Sequence, residues 1–250
     1  MPTDVATLAP LLALVLAAAV LYSAGGHGGA SAYLALMALF GLSPAATKPT
    51  ALLMNAAVTA LGTVRFSRVG AVPWRTVLWF CAGSVPAAFV TGHFKLATHA
   101  HQLVLGVALG VAASLIALSP VGREVRPTPP PWALGTLGAA LGALAGATGI
   151  GGGVFLTPIL LLTGWHDARS AAGAAAVFIL LNSLSGLAGH ISSGASIPAF
   201  AGVFVLVAFG GALLGTWLGA KKLAPATLRR VHAAVLFVSG AKLLYDGLFG

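Results

Sequence analysis

The chain is a succession of ten apolar runs, and no polar stretch between them is long enough to give them a water-facing surface. The runs fall near residues 8–24, 29–40, 49–64, 74–92 and 100–118, then near 132–147, 152–163, 170–189, 197–218 and 228–248. A spanning helix needs about 20 largely apolar residues, because the hydrocarbon core is about 30 Å thick and holds no water to satisfy the backbone. Only 7% of the residues are charged, against roughly a quarter in a soluble domain. The expected class is an all-α polytopic membrane protein, with the bilayer as most of its solvent.

A net charge of +9 would fit a nucleic-acid binder, but the 13 Lys and Arg are scattered between apolar runs instead of sharing a polar face. Nucleic acid is therefore not an expected partner, and the charge reads as topological. Met1 to Pro10 holds Asp4 and no basic residue, so it lacks the positive segment of a cleaved signal peptide, and the first run is expected to remain in the mature protein. Cys81 is the single cysteine and excludes a disulfide or a cysteine-based metal site within one chain.

Five runs precede the stretch Ser119 to Pro131 and five follow it. That stretch holds Arg123, Glu124, Arg126 and several prolines, is too polar to span, and reads as a cytoplasmic linker. The expected organisation is a first transmembrane repeat over 1–118, the linker over 119–131 and a second repeat over 132–250. The halves match in order. Gly26, Gly28, Gly29 and Gly41 correspond to Gly149, Gly151, Gly152 and Gly164 at a spacing of 123. Gly62 and Gly70 correspond to Gly186 and Gly194 at 124, and Gly83, Gly92 and Lys95 to Gly210, Gly219 and Lys222 at 127. A spacing that only grows along the chain is what small loop insertions produce in a duplication.

Five passes per half is an odd number, so similar halves would insert in opposite orientations. If every run changes side, the loops after runs 1, 3, 5, 7 and 9 carry Arg65, Arg68, Arg75, Arg123, Arg126, Arg169, Lys221, Lys222, Arg229 and Arg230. The other side carries Lys48, Lys95 and Lys242. The positive-inside rule places the first group in the cytoplasm and both termini outside. Between equivalent loops the charge changes places. Arg65 and Arg68 face an uncharged counterpart around His190, whereas Lys95 corresponds to the basic group from Lys221 to Arg230. Trp74, Trp132, Trp165 and Trp217 border loops and read as interface anchors.

Runs 2 and 7 have about 12 residues and are too short to cross as straight helices, so they read as re-entrant. Each follows a glycine cluster, Gly25-Gly26-His27-Gly28-Gly29 or Gly149-Ile150-Gly151-Gly152-Gly153. Each glycine lowers helix stability by about 1 kcal/mol relative to alanine, so the clusters are expected to unwind the chain. Exposed N–H groups at the following helix start suit an anion. Close helix packing through small residues is the competing explanation. Paired interrupted segments in corresponding positions favour the broken-helix reading and mark a transporter binding site.

Polar residues in the runs complete the candidate substrate site: Gly26, His27, Gly28, Gly29, Lys48, Thr50, Asn55, Gly149, Gly151, Gly152, Gly153, Asn182, Ser183 and Ser185. Lys48 at the start of run 3 is either an anion contact or a topological marker that snorkels to the surface. Thr59 lies one turn beyond Asn55 on the same run. Hydroxyls and amides can donate to anionic oxygens, or tie helices together. His27 and His190 are weak candidates for proton coupling. His93, His99, His101, His166 and His232 lie near loops or ends and are expected to face water or headgroups; no metal site is expected at His99 and His101, which have no acid or cysteine nearby. The only acids are Asp4, Glu124, Asp167 and Asp246, all in or near termini and loops. A buried cation pathway normally needs carboxylates, so an anion or neutral solute is the expected cargo.

The sequence resembles the TauE/SafE family of sulfite exporters. The likeness rests on Gly149-Ile150-Gly151-Gly152-Gly153 followed by Pro158, on Ala168 to Gly173, and on Asn182 to His190 leading into Gly194. Gly26-His27-Gly28-Gly29 and Ser43-Pro44-Ala45-Ala46-Thr47 repeat it more weakly, with Ala30 replacing the last glycine and His27 inside the motif. Membership implies a secondary transporter, and export of a small anion such as sulfite, thiosulfate or an organosulfonate across a bacterial-type inner membrane. Alternating access between inverted halves needs no cofactor, and no nucleotide-binding motif is present. The alternatives are an assembly factor without transport and an intramembrane enzyme. The enzyme would depend on Ser183 or Ser185 with His190, and a separation of seven residues on one helix rises about 10 Å, too far for direct contact.

Overall fold

Each apolar run forms one helix in the structure, a computed structural model that describes residues 5–24, 26–94, 97–118, 125–219 and 225–249. The helices are α1 (Val5–Ala24), α2 (Ala30–Leu39), α3 (Pro44–Arg68), α4 (Trp74–His93), α5 (Thr98–Leu118), α6 (Pro131–Thr148), α7 (Gly153–Thr163), α8 (Ala168–Ser192), α9 (Ala201–Gly219) and α10 (Pro225–Phe249). No strand occurs among the described residues. Gly25, Lys95, Arg123, Glu124, Lys221 and Lys222 lie outside them, as do Asp4, the first part of the linker and the side chains of Trp217, Arg229, Arg230 and His232. The expectations attached to those residues lie there too.

Local chemistry explains the boundaries. Pro44 and Pro131 open α3 and α6 at the first helical position, where a missing N–H costs nothing. Asp167 caps α8 by accepting from the Ser170 backbone N–H at 2.7 Å. Glycines in the left-handed region end or begin several helices. Their distribution follows the internal matches except at Gly151, whose φ of 78° is not shared by Gly28: Gly26 and Gly149 have φ of 79° and 85°, Gly29 and Gly152 96° and 77°, Gly41 and Gly164 77° and 75°, and Gly70 and Gly194 65° and 75°. A side chain at any of these positions would strain the backbone. Four pairs matched by sequence thus share one unusual conformation.

Most of the packing scheme is kept when α1–α5 are exchanged for α6–α10. Helix α4 packs on α6 as α9 packs on α1; α4 on α8 as α9 on α3; α2 on α3 as α7 on α8; and α5 on α7 as α10 on α2. Two further pairs, α3 with α8 and α5 with α10, set a helix against its own counterpart, while the contacts of α1 with α2 and of α5 with α6 have no counterpart of similar extent. Both self-counterpart pairs run antiparallel. Gly62 approaches Ala176 while Leu52 approaches Gly186, and Leu103 meets Gly247 while Leu109 meets Gly240.

Small residues permit this closeness. Gly138, Gly142 and Gly146 lie on the carbonyls of Phe80, Ser84 and Ala88, where a Cβ would collide with backbone. Gly211 and Gly215 serve the α1–α9 contact in the same way, against the Leu16 and Val20 carbonyls.

The connections gather at two ends. At one, the Arg126 backbone N–H donates to the Gly164 carbonyl at 2.6 Å and His166 Nε2 pairs with Thr76 Oγ1 at 3.0 Å. At the other, His93 Nδ1 pairs with Ser192 Oγ at 3.0 Å and Lys48 Nζ donates to the Gly92 carbonyl at 3.4 Å. This is the grouping that alternate crossing produces. Between the ends the outer surface is apolar: Leu206, Phe237 and Val107 are 73%, 64% and 55% exposed, which suits lipid contact. Helices α2 and α7, with 10 and 11 residues, are about 15 Å long, half the hydrocarbon thickness.

Candidate functional site

Both glycine clusters interrupt helices. Helix α1 ends at Ala24 and α2 begins at Ala30; α6 ends at Thr148 and α7 begins at Gly153. Gly26 lies against Phe66 and Ala172, towards the end that holds Arg68 and Arg169. Gly149 lies against Lys48, towards the opposite end; a Cβ there would come within 3.1 Å of Lys48 Cγ.

One side chain holds both breaks. Asn55, in the middle of α3 and 1% exposed, accepts from the Ala30 backbone N–H through Oδ1 at 3.0 Å. Its Nδ2 donates to the Ile150 carbonyl at 3.1 Å. The amide therefore satisfies a donor at the start of α2 and an acceptor in the loop before α7, groups that an uninterrupted helix would have paired internally. Gly28 and Gly151 let it approach. A Cβ at Gly28 would overlap Asn55 Oδ1, and one at Gly151 would lie 2.6 Å from Nδ2. Thr59, one turn on, donates to the Asn55 carbonyl at 2.6 Å. His27 Nε2 pairs with Thr157 Oγ1 of α7 at 3.0 Å, a second link from the first break to the other half.

Each break also faces a buried hydroxyl. Ser183 Oγ would be 2.9 Å from a Cβ at Gly151, and Tyr33 Oη 2.8 Å from one at Gly29. Both residues are fully buried, and neither oxygen has a hydrogen-bond partner among the described residues. Such an orphan costs about 1–3 kcal/mol. Among the described residues no carboxylate stands near. Asp167 caps α8 at one end and Asp246 pairs with Lys242 on α10 at 2.5 Å.

Other candidates lie elsewhere. Asn182 donates to Ser84 of α4 at 2.9 Å and to the Phe178 carbonyl at 2.7 Å, and Ser185 donates to the Val85 carbonyl at 2.6 Å. Both face α4, so of the three α8 candidates only Ser183 meets a break. Thr50 bonds the Ala46 carbonyl of its own helix at 2.8 Å. Lys48 is buried, 5% exposed, and does not reach the surface as a snorkelling lysine would. His190 is buried near the end of α8. His101, expected at the water or headgroup level, is only 4% exposed, because the α2–α3 corner folds over the start of α5. His166 is half-buried against Thr76. Tyr33 and Thr157 went unrecognised in the sequence; a tyrosine four residues after Gly29 in a lipid-embedded run was the available signal.

Comparison with known proteins identifies the family. The family model described as "Sulfite exporter TauE/SafE" matches residues 11–243. The probable membrane transporter protein y4hK of Sinorhizobium fredii (strain NBRC 101917 / NGR234) is 39% identical over 232 residues, covering 91% of this chain and 94% of that protein. The probable membrane transporter protein YjnA of Bacillus subtilis (strain 168) is 26% identical over 239 residues, covering 88% and 92%. No solved structure matches the chain. A chain whose ten helices, paired glycine breaks and apolar outer surface accompany a family match over nearly its whole length is an integral membrane protein, and it belongs to the TauE/SafE sulfite exporter family of membrane transporters.

Proposed function

We propose that the protein is a secondary transporter exporting a small sulfur-containing anion, such as sulfite or an organosulfonate, by alternating access between two inverted repeats. The observation that carries this reading is the junction of both helix breaks on Asn55, with the unpartnered hydroxyls of Ser183 and Tyr33 beside them and no carboxylate in reach among the described residues. Freed backbone N–H groups, hydroxyls and an amide are donors for sulfonate-type oxygens. Lys48, packed on Gly149, adds positive charge from one side.

Inversion is supported by the exchange symmetry of the helix pairing, by antiparallel counterparts, and by the four glycine pairs that share a left-handed backbone. On this reading α2 and α7 re-enter the membrane from opposite faces, and the end holding Arg65 and Arg68 is cytoplasmic. The bilayer is the bacterial-type inner membrane and the termini are extracytoplasmic. Transport proceeds as the helices around Asn55 rock, opening one break and then the other.

Export of a monoanion from a negative interior is favoured by about 2.3 kcal/mol per 100 mV. The test is flux of sulfite and of methanesulfonate in proteoliposomes under imposed potentials and pH gradients. Potential-driven anion movement supports the reading; protein that is folded yet moves neither anion under any gradient ends it.

A further inference from the structure

A cavity of about 230 Å³ opens between the α2–α3 corner and the start of α5, outside both glycine breaks but reaching Leu34 on α2. Its polar lining is Ser43, Thr47, Thr98, His101 and Gln102, without a carboxylate. His101 is 4% exposed and lines this space. Lys48, the neighbour of the lining Thr47, is equally buried and lies within electrostatic reach of the imidazole. Ser43 precedes α3 but makes no side-chain cap bond, so its hydroxyl is not spent on the helix end; the Ala46 and Thr47 N–H groups bond the Ser43 carbonyl instead. An ammonium and an imidazole buried together without an acid are unfavourable neighbours. An anion held in the cavity lowers that cost.

We infer that this cavity is a second binding site, an oxyanion vestibule in which His101, Gln102 and the hydroxyls of Thr47 and Thr98 contact the ligand. Lys48 supplies the potential behind it. This inference rests on the anion reading of the helix breaks but concerns a separate place. The cavity runs along α2 as far as Leu34, about one turn beyond Ala30. An anion held here waits next to the first break, on the end of the bundle that carries Lys48. Sulfonates with a short organic tail fit the mixed lining, whose apolar part comes from Leu34, Leu105 and Leu243.

Thr98 is exposed at the mouth, and Cys81, the native thiol, is buried, so the parent protein serves as the unreactive blank. The full-length Thr98→Cys variant is treated with methanethiosulfonate reagents bearing either a sulfonate or a trimethylammonium head. Rates are normalised to those with a free thiol. The vestibule predicts that the anionic reagent reacts about tenfold faster, that methanesulfonate slows it, and that adding His101→Gln abolishes both effects. Gln102→Cys repeats the measurement from the wall of the cavity. Equal normalised rates, or no protection by methanesulfonate at either position, overturn the vestibule. Proteoliposome flux separates the two claims: protection without flux removes the transport reading alone, and flux without protection removes the vestibule alone.

Discussion

The side-chain amide of Asn55 donates to the backbone carbonyl of Ile150 at 3.1 Å, across 95 positions of sequence. A residue of the first half thereby closes the loop of the second, while its other end holds Ala30 at the first break. Asn55→Ala would orphan one donor and one acceptor, at about 1–3 kcal/mol each. The variant is expected to lower the melting temperature and to lose flux. Wild-type flux from folded Asn55→Ala protein would show that the bridge is not part of transport.

Ser183→Ala and Tyr33→Phe separate structure from function more cleanly. Each removes a buried oxygen that no protein group satisfies, so stability should hold or rise, by up to about 1–3 kcal/mol. Flux should fall if these hydroxyls meet the anion. Thermal melting and proteoliposome transport on the same preparations check both signs, and unchanged flux in both variants assigns the hydroxyls no role.

Gly151→Ala introduces a Cβ 2.6 Å from Asn55 Nδ2 and places a side chain at a φ of 78°. The variant is expected to lose the Asn55–Ile150 bond and, with it, transport. Gly210 is the control: it is helical, and a Cβ there meets nothing within 4 Å. Gly210→Ala should keep full flux and gain up to about 1 kcal/mol from helix propensity.

Lys48→Met keeps the length of the side chain and removes its charge. Anion affinity should drop about tenfold, equivalent to about 1.4 kcal/mol, with the folded yield unchanged or improved because a buried ammonium is lost. Substrate-dependent flux gives the apparent KM, and an unaltered KM would return Lys48 to the role of topological marker.

Asp167 offers a pH dependence outside the membrane core. The backbone N–H of Ser170 bonds its carboxylate and holds the group below its usual range. Its contribution to stability is therefore present above the unfolded value and is lost as the pH falls through the lower folded value, in the acid range below about 4. Asp167→Ala is expected to cost about 1 kcal/mol as a lost helix cap. The loss should show in melting curves at neutral pH and shrink under strong acid; a pH-independent difference would contradict the cap.

Helix existence was legible because each element is a single apolar run ended by glycine, proline or charge. The observed bounds fall within a few residues of the runs. The two breaks were legible for the same reason, since glycine clusters inside apolar runs have few other conformations to favour. Side-chain direction was harder to read. Ser183 and Asn182 are adjacent, and a step of 100° sends one to the break and the other to Ser84 on α4. Local periodicity on a helix that is largely buried all round does not choose between them. His101 was missed because its burial depends on where the α2–α3 corner lands, which no local pattern encodes. Tyr33 reads as an ordinary aromatic until Gly29 is seen beneath its ring.

The glycine stripe of α6 lies on α4, and the corresponding contact of α1 is made to α9, so each half lends its first helix to the other. On the inverted reading this exchange bears on ancestry. A gene encoding one half alone would make a product whose first helix lacks a seat, and the remedy open to it is a second copy inserted upside down. The present chain is then a fused dual-topology dimer, and the segment over 119–131 is the splice between former subunits. Divided there and co-expressed, the two pieces should reassemble into an active pair, while either piece made by itself should be degraded.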